Sequence, residues 1–239
     1  MCASDSNIDE CLCGSSNPMS VSVKKESASG SPPWRIFLLS PANVAGIRAG
    51  FLMHPNAKSE MGQRLRQDGA PLGELFSFMS SLYFRGKLAY ARAFANAPFG
   101  VEGAFVITAS GGLIPPRTLV TLERLREISA GDIDPADSRY TLPLERDARR
   151  LSQAVGMNCQ IVLLGSIATP KYVDPLLEIF GPRLAFPSEF VGRGDMSRGG
   201  LMLRCVESGE QLTYIPVLEA KRNGCRPPRL QPMRRGSRA

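Results

Sequence analysis

Three short apolar runs constrain this chain more than any other feature. "WRIFLLS" (34–40), "GAFVITASGGL" (103–113) and "CQIVLLGSIAT" (159–169) are apolar along most of their length, and each then stops in small polar residues. A run without polar alternation reads as a strand buried on both faces, the habit of parallel sheets. "RLAF" (183–186) predicts a fourth, shorter strand. Helical patterns separate the runs. "PANVAGIRAGFLMH" (41–54) carries Val44, Ile47 and Phe51 at helical spacing. Residues 72–97 are long enough for two helices. Phe84, Leu88, Ala91 and Ala95 make one face there, and Arg85 and Arg92 fall on another. Helices are also predicted over 121–129, over 142–156 with Leu144, Ala148, Leu151 and Val155 inward, and over 172–181. Alternation of this kind predicts an α/β fold: a three-layer, mostly parallel sheet with helices on both faces. "GLMLRCV" and "QLTYIPV", joined by "ESGE", read as a C-terminal antiparallel β-hairpin.

The polar, Ser- and Asn-rich residues 1–33 are expected to be a disordered leader, 34–220 a single α/β domain, and 221–239 a basic disordered tail. Net charge is +7, and residues 221–239 alone hold seven basic and no acidic residues. The basicity is a property of the tail, which is expected to bind nucleic acid weakly and without sequence preference. The start "MCASDSNIDE" has neither a basic n-region nor an apolar core, and no run approaches the ~20 apolar residues of a membrane span. A cytoplasmic protein with no membrane partner is the expectation. Cys2, Cys11, Cys13, Cys159, Cys205 and Cys225 form no paired zinc spacing, so reduced thiols with no metal and no cofactor are expected.

The strand ends locate a candidate site. In open α/β sheets ligands bind outside the carboxyl ends of the strands. Ser40, Ser110-Gly111-Gly112 and Ser166 stand there, with Lys171 at the start of the next helix. The glycine-rich "EFVGRGDMSRGG" (189–200) also follows a predicted strand and should reach the same rim. Gly192 and Gly194 would let the backbone approach an anion. Arg193 and Arg198 could clamp it, with Ser197 as a further donor. Asp195 and Glu189 are the candidate acid or base. His54, the single histidine, precedes a proline and reads as a capping or solvent-facing residue. Arg85, Lys87 and Arg92, interleaved with Tyr83, Phe84, Tyr90 and Phe94, read either as a nucleic-acid face or as core aromatics beside a wet cationic face.

Together, "SPA", "LYFRGKLAYARAF", "ITASGGLIPP", "LLGSIATPKYVDPLL" and "FVGRGDMSRGG" resemble a family of uncharacterised bacterial proteins over about residues 35–217. "ITASGGLIPP" (107–116) is also faintly similar to the "LSAKHGLVPP"-like segment of the peroxide-stress protein family and of archaeosine synthase, with Gly111 where those have histidine. Those domains are similar in fold to uracil-DNA glycosylase. "SPAN" (40–43) stands where that enzyme has its Gly-Gln-Asp-Pro-Tyr motif. The resemblance implies this fold and a nucleic-acid-related setting. The expected function is binding of a nucleotide, nucleobase or other anionic ligand at the strand ends, with hydrolysis or group transfer as the reaction class. The alternative is a non-enzymatic nucleic-acid-associated protein of stress or defence.

Overall fold

A computed structural model describes residues 34–80 and 82–230. The expected leader and residues 231–239 of the tail lie outside them. Strand β1 (Trp34–Leu39) is followed by α1 (Ile47–Met53), α2 (Glu60–Gln67), β2 (Ala70–Pro71), α3 (Leu72–Ser80) and α4 (Leu82–Phe94). Next come β3 (Ala104–Ile107), β4 (Leu113–Ile114), β5 (Leu119–Val120), α5 (Leu122–Ile128) and α6 (Ser138–Val155). The chain continues through β6 (Cys159–Leu164), α7 (Pro170–Phe180), β7 (Leu184–Pro187), α8 (Asp195–Ser208) and β8 (Tyr214–Pro216).

Six strands form one mixed sheet in the order β4-β3-β1-β6-β7-β8. The four inner strands run parallel, and β4 and β8 close the edges antiparallel. β2 and β5 make a separate antiparallel pair. Ile36, Phe37, Leu38 and Leu39 of β1 are all inaccessible, as are Ile161 to Leu164 of β6. Unalternating apolar runs therefore became the central strands, for the reason that predicted them: both faces are covered.

The C-terminal hairpin does not form. Its first arm, "GLMLRCV", lies inside α8, and only Tyr214–Pro216 of the second arm is a strand, paired with β7. Met202 and Cys205 are buried three residues apart, a helical spacing that the apolar density of the run conceals. The face expected of α1 is also corrected. Ile47 and Phe51 are 80% and 67% exposed, and Ala49 and Leu52 are buried instead. On α4 the expected face holds, with Phe84, Leu88 and Ala91 buried. Tyr83, Gly86, Lys87 and Tyr90 are buried as well, because α8 packs along the other side of α4.

That contact is a backbone contact. A Cβ on Gly86 would stand 2.7 Å from the Gly199 carbonyl oxygen, and one on Gly199 would stand 2.8 Å from the Leu82 oxygen and Tyr83 Cα. Gly200 differs, since its nearest neighbour would be Leu230 Cδ1 at 3.7 Å. Overpacking a tight contact costs ~1–3 kcal/mol, whereas alanine in place of glycine in an open helix gains up to ~1 kcal/mol. Gly199→Ala should lower stability and Gly200→Ala should raise it slightly, as read by urea midpoints; equal effects would reject the close-approach reading.

Candidate functional site

Ser40 follows β1, Thr108 and Ala109 follow β3, and Ser166 follows β6. Because these strands run parallel, their carboxyl ends share one rim, and a cavity of about 570 Å³ opens there. The β1–α1 loop contributes Ser40 and Asn43 to its wall. Phe76 and Tyr83 come from α3 and α4, and Ser129 and Asp132 from the segment after α5. Lys171 and Tyr172 of the first turn of α7, and Asp195 of the first residue of α8, complete it. Charged lining is mixed, with two carboxylates and one ammonium. Ser129 Oγ and the Tyr83 hydroxyl are buried without a hydrogen-bond partner. Ser40 and Arg198 neighbour that hydroxyl, whose pKa is raised chiefly by burial.

Beneath Ser40 lies Lys87, which is wholly inaccessible. Its Nζ donates to the Ser40 carbonyl oxygen at 2.5 Å and lies 2.9 Å from Ser40 Oγ. It also stands 4.1 Å from the centre of the Tyr83 ring and 5.1 Å from that of Phe84. Burial pulls the ammonium down to about 7; Asp195 opposes this and Arg198 adds to it. Ser40, 6% exposed, thus lines the cavity on one side and meets an amine that is half neutral near pH 7 on the other. The 2.9 Å separation is proton-transfer range.

Of the residues expected at the site, Ser40, Ser166, Lys171 and Asp195 are brought together around the cavity. The others are not among its lining residues. Ser110, Gly111 and Gly112 form the turn from β3 into β4. There Ser110 Oγ donates to the Glu127 carbonyl at 2.6 Å and Gly111 N to Thr108 Oγ1 at 3.0 Å. Gly112 has φ +71°, and a Cβ there would meet Asp147 and the Pro143 carbonyl. Glu189 accepts from Thr213 N at 2.9 Å, holding the start of β8.

The two arginines do not point a free fork at a ligand. Arg193 donates to the Glu189 carbonyl at 3.0 Å, to Ser197 Oγ at 3.3 Å and to the Pro228 carbonyl at 3.4 Å. Arg198 donates to the Phe190 carbonyl at 3.2 Å and stands 3.9 Å from Asp195. Gly192, at φ +72°, is crossed by the backbone of Gly224 and Cys225, and Gly194 is the cap residue of α8. The loop is tied together by its own arginines.

His54 is exposed and accepts from Asn56 N at 3.1 Å, a turn role. Lys87 does not join Arg85 and Arg92 on a wet face, because it is buried. Its position was readable. Residues 84, 87, 88 and 91 follow the spacing i, i+3, i+4, i+7, so Lys87 sits on the apolar face. Among the described residues no group of three or more His, Cys, Asp or Glu could hold a metal ion. No described helix is long and apolar enough to cross a membrane. No family model, curated protein or solved structure matches the chain.

The buried amine has a thermodynamic signature. Its folded pKa of about 7 lies below the ordinary 10.5, so between those values the unfolded chain binds more protons. Stability should therefore rise with pH across this window, by several kcal/mol in all, and this contribution should be flat below about 7. Lys87→Met should remove that rise. Denaturant unfolding of both proteins from neutrality to pH ~10 checks it; parallel curves would mean the amine is not held as described.

Proposed function

We propose that the strand-end cavity binds a nucleotide or nucleobase. The observation that carries this reading is the mixed lining of the cavity at the carboxyl ends of three parallel strands. Phe76, Tyr83 and Tyr172 offer aromatic surface to a base, and the Asn43 amide can read a base edge. Asp195 and Asp132 accept from sugar hydroxyls. Lys171, on the first turn of α7, supplies the cation for a phosphate, and the helix N-terminus favours the same charge. With two carboxylates against one ammonium, the lining suits a nucleoside or its monophosphate better than a polyphosphate. The resemblance in "ITASGGLIPP" agrees with a nucleic-acid-related ligand.

Thermal shift tests this directly. A ligand at 100 times its dissociation constant stabilises by ~2.7 kcal/mol. A nucleoside monophosphate should raise the melting midpoint more than the free base or inorganic phosphate does. Lys171→Ala should remove the increment due to phosphate, ~1.5–3 kcal/mol, and leave the base increment in place. If none of the three ligands moves the midpoint, the assignment fails.

A second reading rests on the tail. Lys221, Arg222, Arg226 and Arg229 are exposed, which supports weak, sequence-independent attraction to nucleic acid. Binding to a random duplex should then fall steeply with salt, with a log–log slope of roughly −0.9 per phosphate contacted. A slope near zero would reject it.

A further inference from the structure

We propose that the protein is an acyl hydrolase or acyltransferase in which Ser40 Oγ is the nucleophile and Lys87 its general base, acting on an ester or amide carbonyl held in the strand-end cavity. This goes beyond ligand binding and does not require the ligand to be a nucleotide.

A serine needs a base within hydrogen-bond reach to become a nucleophile, and that base must itself be held in place. Lys87 meets both conditions. Its Nζ is 2.9 Å from Ser40 Oγ and is held by the Ser40 carbonyl at 2.5 Å and by the Tyr83 ring at 4.1 Å. In the neutral amine one N–H donates to that carbonyl and another faces the ring, which leaves the lone pair for the Ser40 proton once the hydroxyl turns from the Leu164 carbonyl, to which it donates at 3.3 Å. Once protonated, the ammonium is stabilised by the same carbonyl, by the faces of Tyr83 and Phe84 and by Asp195. The titratable and charged groups that face it are Tyr83 on its own helix and Asp195 and Arg198 on α8; β1 presents Ser40. Arg198 opposes protonation and Asp195 favours it. Tyr83 adds a buried hydroxyl beside Ser40 and Arg198, a donor placed to meet developing negative charge.

The cavity favours a carbonyl over a phosphoryl group as the electrophile. Phosphoryl transfer spreads charge over three oxygens and relies on several cationic donors. Here Arg193 and Arg198 are bonded to loop carbonyls, and two carboxylates line the wall. A carbonyl oxygen needs only one or two donors.

In the first step Ser40 Oγ bonds to the carbonyl carbon, its proton passes to Lys87 Nζ, and the carbonyl π pair moves to oxygen. That pair then returns, the bond to the leaving oxygen or nitrogen breaks, and the leaving group takes the proton from Lys87. Water attacks the Ser40 ester while Lys87 accepts one of its protons. Ser40 Oγ departs with that proton, releasing a carboxylic acid and restoring both residues. An alcohol or amine in place of water gives transfer.

The test is to treat the folded full-length chain with a fluorophosphonate. Ser40 Oγ displaces fluoride from phosphorus, and its proton passes to Lys87. Peptide mass spectrometry should find the adduct on Ser40, and Ser40→Ala should lose it. The labelling rate should rise about tenfold per pH unit in acid and level off above about 7, where Lys87 is neutral. Lys87→Met should abolish labelling. Should that variant fail to fold, the wild-type pH profile decides alone. A rate that climbs with hydroxide and never levels overturns the role of Lys87, and absence of a Ser40 adduct overturns the proposal. A chain that labels at Ser40 yet ignores nucleotides rejects the ligand assignment only, and the converse result rejects the chemistry only.

Discussion

Two glycines on facing helices, Gly86 of α4 and Gly199 of α8, let the backbones meet with no side chain between them. The geometry of the strand-end cavity follows from that contact. It covers the α4 face that carries Tyr83 and Lys87, so these residues have no route to solvent on that side. It also sets the first turn of α8 beside them, and Asp195 reaches the cavity wall from there. A β-branched residue at either position would separate the helices and admit water to the amine. The low pKa of Lys87 thus begins with the absence of two Cβ atoms.

A buried lysine with no directly bonded carboxylate is an expensive element in a core, since an isolated ammonium loses its hydration without replacement. Three features lessen the penalty. The Ser40 carbonyl at the end of β1 accepts from the amine, two aromatic faces flank it, and the group sheds its proton near neutrality. A leucine or methionine would fill the same volume without this cost. The lysine also does little for strand pairing, because Ser40 N already donates to the Leu164 carbonyl at 3.2 Å. An amine kept near its midpoint, against a hydroxyl that opens on a cavity, suits a site that moves protons.

Legibility in the sequence followed the strength of the local signal. The strand β1 and the helix ending at Val155 were plain, because one face or both faces are apolar at a clean period. "GLMLRCV" was misread because seven residues with five apolar members satisfy strand and helix templates alike. The helix is decided by Gly199 meeting α4, a tertiary contact with no local signature. The rule for parallel strand ends pointed to Ser40, Ser166, Lys171 and Asp195, which line one cavity in the fold. Lys87 was missed because a charged residue among aromatics was assigned to the wet face, although its spacing put it with Phe84, Leu88 and Ala91. The pairing of Lys87 with Ser40, 47 residues apart, required the fold.

The glycine-rich loop affects the site indirectly. Its glycines do separate tasks: Gly192 takes a positive φ where the chain near Cys225 crosses, Gly194 caps α8, and Gly199 meets α4. Arg193 and Arg198 bind the carbonyls of Glu189 and Phe190, so the exit from β7 is fastened to the first turn of α8. That fastening fixes two opposed charges beside the buried amine. Asp195, favoured at a helix N-terminus, draws the Lys87 pKa upward, and Arg198, held by Phe190, pushes it downward. Burial sets the main shift, and the loop trims it from both directions. The ties within "EFVGRGDMSRGG" therefore hold in place two charges that act on Lys87 in opposite directions.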